Sequence, residues 1–201
     1  MTEWWVLWRF WQDGKIKIDR MMKDLARGWI ASRFLVFCKG GKMNLPENDY
    51  QILKLTSQFY KDHPDPPYHE ILKKNHRAYN CLLFQSHYDY YICIPYWSEI
   101  AHPYSFRFRK TQRSKKHKSG LDYTKIVIIT KSEYIDTKDA IIDKDEFNET
   151  IKHLEKIKRE AITFVEEYVQ HVSGNKKMSL QEFKRRYAYS PLAYFHQELG
   201  I

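Results

Sequence analysis

Glycine is scarce in this chain. There are seven in 201 residues, and none falls into G-x-G-x-x-G or P-loop spacing, which excludes the common phosphate-cradling loops of nucleotide-binding enzymes. Neither H-E-x-x-H nor G-x-S-x-G occurs, so the zinc-protease helix and the hydrolase nucleophile elbow are absent as well. His69-Glu70 has no second histidine four residues on, and the pair is a weak metal motif. The cysteines Cys38, Cys81 and Cys93 are odd in number and lack CxxC spacing. That argues against a disulfide framework or a zinc site and fits a reducing cytoplasm. No stretch approaches the roughly 20 apolar residues that span a bilayer. The opening "MTEWWVLWRFWQDGK" is short, is broken by Arg9, and lacks the basic start and small-residue cleavage site of a signal peptide. A soluble protein is expected.

Aromatics and cations are plentiful. Phe, Trp and Tyr make 16% of the chain, and the formal charge is +9 with a sequence pI of about 9.3. An anionic partner follows, nucleic acid first and an anionic membrane surface second. Unstacked bases offer faces to aromatic rings and their phosphates attract Lys and Arg, so single-stranded nucleic acid suits the mixture. The plainer reading is a solvated basic surface around an aromatic core.

Residues 1–42 differ from the rest, with four of the six tryptophans between Trp4 and Trp11. They form a Trp-rich extension open to three readings: a membrane- or partner-binding arm, an extra packing element, or an in-frame start upstream of the natural one at Met43. An amphipathic helix is expected around Asp19–Phe37. The domain proper spans 43–201. "YQILKLT" alternates as a strand, Thr56-Ser57 caps a short helix over "SQFYKDH", and "HPDPPYHE" is a loop. "RAYNCLLFQ" and "YYICIPY" read as strands joined by "SHYD" in a hairpin. "YSFRFRK" is a strand with Tyr104, Phe106 and Phe108 on one face and Arg107 and Arg109 on the other. "TQRSKKHKSG" reads as a polar loop and "TKIVIIT" as a central strand. One more short strand fits near Ala140–Ile142. A single long helix follows Asp145, with Phe147, Ile151, Leu154, the Lys158 stem, Ala161, Val165, Tyr168 and Val172 on one face. A second helix opens with a Ser179/Glu182 capping box and a third, short one at Ser190-Pro191. The expected fold is α+β: a compact, twisted, barrel-like antiparallel sheet with helices concentrated toward the C-terminus.

The chemistry on offer is metal-free. Acidic pairs such as Asp143/Asp145 and Glu166/Glu167 fit helix caps and solvated faces better than a two-metal site. Cleavage of RNA needs little equipment, because the substrate supplies its own 2′-OH nucleophile. The protein must move two protons, stabilise charge on the phosphorane and hold the reacting atoms in line. Ser98, after Pro95, could donate to a phosphate oxygen or relay a proton. His102 could act as acid or base. Arg77 and Lys125 could neutralise developing charge. Each has a plain alternative: Ser98 a turn cap, His102 a cover for the sheet edge, Arg77 a surface charge. Seven cations, Arg107, Arg109, Lys110, Arg113, Lys115, Lys116 and Lys118, crowd one segment and would hold phosphates. Trp97 and Tyr104 are the rings beside them that could stack on bases.

"LKLTSQFYKDH", "NHRAYNCLLF", "YYICIPYWSEIAHPYSF", "SGLDYTKIVII" and "YSPLAYFHQELGI" together resemble the toxins of type III toxin–antitoxin systems, the ToxN/AbiQ superfamily and within it the TenpN branch. The resemblance runs from Tyr50 to Ile201 in one order. It implies a metal-independent endoribonuclease that leaves a 2′,3′-cyclic phosphate. Such a toxin is neutralised by a small structured RNA, often a pseudoknot, in a closed ring of protein and RNA. It acts in phage abortive infection or plasmid maintenance. By position, the resemblance places the active-site serine on Ser98, the cation of the preceding strand on Arg77 and the lysine of "GLDYTK" on Lys125. Trp97 stands where ToxN has threonine and Ile100 where it has lysine, which leaves His102 as the substitute. RNA is the expected partner, with neither DNA nor a membrane expected, and no cofactor. A non-catalytic RNA-binding module is the alternative.

Overall fold

The computed structural model describes residues 50–73, 80–86, 88–136 and 140–201. The Trp-rich extension, the helix expected around Asp19–Phe37 and Arg77 lie outside these residues. The described chain is α+β, with an antiparallel sheet of six strands and its helices gathered toward the C-terminus.

Strands β1 (Tyr50–Lys54), β2 (Asn80–Gln85) and β3 (Tyr91–Trp97) form a meander in which Tyr50 lies opposite Phe84 and Gln85 opposite Tyr91. Six consecutive residues of β3, Tyr91–Tyr96, are buried, as expected of a strand covered on both faces. β3 then divides its partners. Tyr91–Cys93 pair with β6 (Val127–Ile129), while Tyr96 and Trp97 pair with β5 (Gly120–Asp122). β4 (Ser105–Arg107) adds to the far side of β5.

The expected barrel-like closure does not occur. β1 and β4 stand at opposite ends of the strand order and do not pair. Three-residue strands such as β4 and β5 are too short to carry the sheet round. Gly120 permits the close approach of β4 and β5: a Cβ there would stand 2.2 Å from the Phe106 carbonyl oxygen and 2.9 Å from the Arg107 Cα.

Helix α1 (Ser57–Asp62) is capped by Thr56, whose Oγ1 accepts from the Phe59 N–H. Phe59 is fully buried and meets Tyr134 edge-on. The segment expected to be a loop at 111–120 contains α2 (Gln112–His117), because Thr111 Oγ1 accepts from the Ser114 N–H and starts a turn. The strand expected over 124–130 is shortened to β6 by a 3-10 turn at Tyr123–Lys125, where Asp122 accepts from the Thr124 N–H. No strand forms at Ala140–Ile142; Ala140 donates a single backbone bond to the Ile52 carbonyl.

The single long helix is two, α3 (Lys144–Lys152) and α4 (Leu154–Val172), parted at His153. The face that is buried runs through Glu146 and Thr150 of α3 and Ile157, Ala161, Phe164, Val165 and Tyr168 of α4, while Phe147 and Val172 are exposed. Helix α5 (Leu180–Tyr187) is capped by Ser179, which accepts from the Glu182 N–H. The Glu182 carboxylate, however, binds Arg185 and Arg186 rather than completing the capping box. A 3-10 turn at Pro191–Tyr194 and the short α6 (His196–Leu199) end the chain, with Gly200 at φ +74. Cys81 and Cys93 are buried thiols outside any disulfide, and burial pushes the Cys93 thiol upward. Among the described residues no helix is long and apolar enough to cross a membrane.

One contact ties the sheet to α3. Thr150 Oγ1 donates to the Glu146 carbonyl at 2.8 Å, so the buried Tyr96 hydroxyl, 3.0 Å away, must be the donor to Thr150. Through that bond β3 fixes the helix that carries Glu146 and Glu149.

Candidate active site and nucleic-acid interface

Beyond Trp97 the chain turns sharply, and Glu99 adopts φ 58 in the left-handed region. Its N–H donates to the His117 carbonyl, and the Ile100 N–H donates to the Lys118 carbonyl. Lys118 itself sits at φ 46 as the C-cap of α2. The Ser98 turn and the end of α2 are therefore docked on each other through two strained residues, a concentration that often marks a functional site. The Glu99 carboxylate also meets His117 Nδ1 at 3.0 Å.

Ser98 lies in the fork of Arg113. The guanidinium donates from Nε at 3.0 Å and from Nη2 at 2.7 Å to Ser98 Oγ. A hydroxyl has two acceptor sites and one hydrogen. With both acceptor sites filled by a cation, Ser98 can only donate. The third guanidinium nitrogen, Nη1, is 3.4 Å from Glu146, which is 1% exposed. Ser119 Oγ donates to the other Glu146 oxygen at 2.7 Å. Burial pushes the Glu146 carboxyl above its ordinary value, against the opposing pulls of Ser119 and Arg113.

His102 belongs to a second network. Its Nε2 is 3.3 Å from Oδ2 of the buried Asp122, whose Oδ1 accepts from the Thr124 N–H and hydroxyl. His102 Nδ1 is buried and has no partner among the described residues. Arg107 folds back to donate to the His102 carbonyl at 3.2 Å. Lys125 belongs to a third network: Nζ donates to Glu70 Oε2 at 2.9 Å and to the Tyr189 carbonyl at 2.7 Å. The register explains the separation. Ser98 lies past the end of β3, whereas Lys125 sits in the turn between the partners of Tyr96 and Cys93.

The basic tract splits three ways. Arg107, Arg109, Lys110 and Lys118 line an open groove of about 1070 Å³, Arg113 turns to Ser98, and the exposed Lys115 and Lys116 stand outside the groove lining. The groove's opposite wall comes from α3 and α4, through Lys152, His153 and Lys156. Its floor includes the buried Phe106 and Phe108, and Lys156 Nζ lies 5.8 Å from the Phe106 ring centre. Glu149 clamps the two sides, accepting from the Arg109 and Lys110 N–H groups at 2.9 and 3.1 Å. Asp145 accepts from the Gln112 N–H through Oδ2 at 2.8 Å and from the Glu146 N–H of its own helix through Oδ1 at 2.8 Å, so it bridges α3 to α2. The Tyr104 ring lies 5.3 Å below the Arg186 guanidinium, and its hydroxyl accepts from Arg185. Trp97 is half-buried at the end of β3.

Sequence reasoning missed Lys152, Lys156, Glu146 and Glu149. The i, i+4 spacing of Lys152 and Lys156 marks one polar helix face, but nothing in the sequence sets that face against β4. Among the described residues no three His, Cys, Asp or Glu side chains converge as a metal site. Searches of protein-family models, curated proteins and solved structures find no match to this chain.

Proposed function

We propose that this chain is the toxin of a type III toxin–antitoxin system, an endoribonuclease that cleaves RNA without a metal and is neutralised by a small structured RNA. The observation that carries the reading is the Ser98 hydroxyl held in the Arg113 fork at 2.7 and 3.0 Å, on a chain that also presents a basic groove. RNA phosphates lie along Arg107, Arg109, Lys110, Lys118, Lys152 and Lys156. At the scissile phosphate the 2′-oxygen forms a bond to phosphorus, and the bond from phosphorus to the 5′-oxygen breaks. The products are a 2′,3′-cyclic phosphate and a 5′-hydroxyl. Ser98 donates its hydrogen to a non-bridging oxygen, and Arg113 adds positive charge behind it. His102 takes the proton of the 2′-OH and returns it to the departing 5′-oxygen: Asp122 holds Nε2–H and leaves the lone pair on Nδ1 as the acceptor. That nitrogen is buried in the free protein, so RNA binding must uncover it.

A second reading, an RNA-binding module without catalysis, is favoured by the burial of His102 Nδ1 and by the engagement of Lys125 with Glu70 and Tyr189. The two separate on one assay. Purified protein is incubated with RNA in EDTA, and the new ends are analysed. Catalysis predicts cyclic-phosphate ends, with Ser98→Ala slower by about 10²-fold and Arg113→Lys intermediate. Salt-sensitive binding with no cyclic-phosphate product would replace the first reading by the second. In cells, expression is expected to arrest growth and Ser98→Ala to relieve the arrest.

A further inference from the structure

Beside the basic groove lies a smaller cavity of about 340 Å³, and the two share Pro103, Ser105 and Glu160 as a common wall. Its chemistry differs from that of its neighbour. The half-buried Tyr104 supplies aromatic surface, backed by the buried Phe164 and Tyr123 rings, with the Phe164 ring centre 6.2 Å from Tyr104 and 6.5 Å from Tyr123. The charged groups are two carboxylates and one guanidinium, Glu160, Glu167 and the exposed Arg159, all from α4. A phosphate is a poor ligand for a cavity with more carboxylates than cations. A flat, neutral ring with hydrogen-bonding edges suits it.

The carboxylates are held in place. The Tyr123 hydroxyl donates to Glu160 Oε2 at 2.8 Å, and Lys156 stands 3.7 Å from Oε1 on the groove side. Glu167 is fixed through Oε2 by Arg186. Burial, and next the bond to Glu160, push the Tyr123 hydroxyl upward, so it remains a donor at neutral pH. Carboxylate acceptors beside a guanidinium donor match one base best. Guanine offers N–H donors at N1 and N2 and acceptors at O6 and N7. Adenine turns an acceptor, its N1, toward a carboxylate, and cytosine does the same with N3.

We propose that this cavity is a nucleobase subsite selective for guanine, taking the base of a nucleotide whose phosphates lie in the basic groove. The inference rests on the RNA-binding reading above and adds sequence preference to it. Glu160 accepts from the N1 and N2 edge, Arg159 donates to O6 and N7, and the ring lies against Tyr104.

The test is anisotropy-detected binding of the full chain to short 2′-fluoro uridine oligonucleotides, which lack the nucleophile, carrying one central guanosine, inosine or adenosine. Guanosine is expected to bind about tenfold tighter than adenosine, with inosine, which lacks the N2 amine, between them. Glu160→Gln keeps an acceptor for Tyr123 and is expected to remove most of the preference, read as the ratio of guanosine to all-uridine affinity within that variant so that the loss of the Lys156 partner cancels; Arg159→Met is the second variant. Thermal unfolding confirms that both fold. Equal binding of all three oligonucleotides would overturn the subsite and leave the RNA reading intact, as would a guanosine preference that survives both variants. Failure to bind any oligonucleotide would overturn both.

Discussion

A serine whose two acceptor sites are filled by one guanidinium cannot take a proton, and this fixes what Ser98 contributes. It donates, so in the proposed mechanism the acid–base work falls to an imidazole. Glu146 controls how firmly Arg113 is held. Its folded-state pKa is raised above the unfolded value, chiefly by burial. Protonation therefore favours the native state. The resulting stability is full below the unfolded pKa and is lost as pH rises through the raised folded value. Glu146→Gln removes the buried charge. Its unfolding midpoint relative to the natural protein is expected to be highest near neutrality and to shrink as pH falls through the mildly acidic range. A difference that stays constant over that range would show that Glu146 does not titrate there. His102 meets Asp122 at 3.3 Å. Asp122→Asn is expected to slow cleavage more than it weakens RNA binding, a split read from kcat against KM.

At the scale of elements, the groove depends on how closely β4 meets β5. Gly120→Ala places a methyl against the Phe106 carbonyl and is expected to cost on the order of 3 kcal/mol in urea unfolding. Glu149→Ala removes the acceptor of two backbone N–H groups and is expected to cost about 2 kcal/mol. Much of the element order was legible in the sequence. The meander β1–β2–β3, the alternation of buried Phe106 and Phe108 with exposed Arg107 and Arg109, and the caps at Thr56, Ser179 and Ser190 all follow from local rules. What escaped was non-local. Helix α2 hides in a polar run because its Thr111 cap is a single hydroxyl. The break at His153 leaves the helical period of the residues around it almost undisturbed. Ser98 could be singled out from its turn, but its partner Arg113 lies fifteen residues on, in a tract that composition assigns wholesale to phosphates. The wall contributed by Lys152 and Lys156 depends on the Tyr96–Thr150 bond, which no sequence pattern announces.

For the whole molecule, the proposed RNA binding would have two parts: a general attraction from the formal charge of +9 and a more specific hold in the groove. Each phosphate neutralised on a single strand lowers the log–log salt slope by about 0.7. Lys152→Ala with Lys156→Ala is expected to make that slope shallower by about 1.4, measured as affinity over a salt series. The same pair of changes on a solvated face would leave the slope untouched. The division of β3 between β6 and β5 has a kinetic consequence. β2 precedes β3 across a short connection at 86–90, whereas β5 and β6 lie over twenty residues downstream. Loop closure favours the near partner. The β2–β3 hairpin is expected to form first and to act as the template, with β6 and then the three-residue strands β5 and β4 docking onto its two halves. Pulsed hydrogen exchange should protect Leu82–Phe84 and Ile92–Ile94 earlier than Phe106 and Leu121, so the groove would be the last part of the sheet to be built and the first to open.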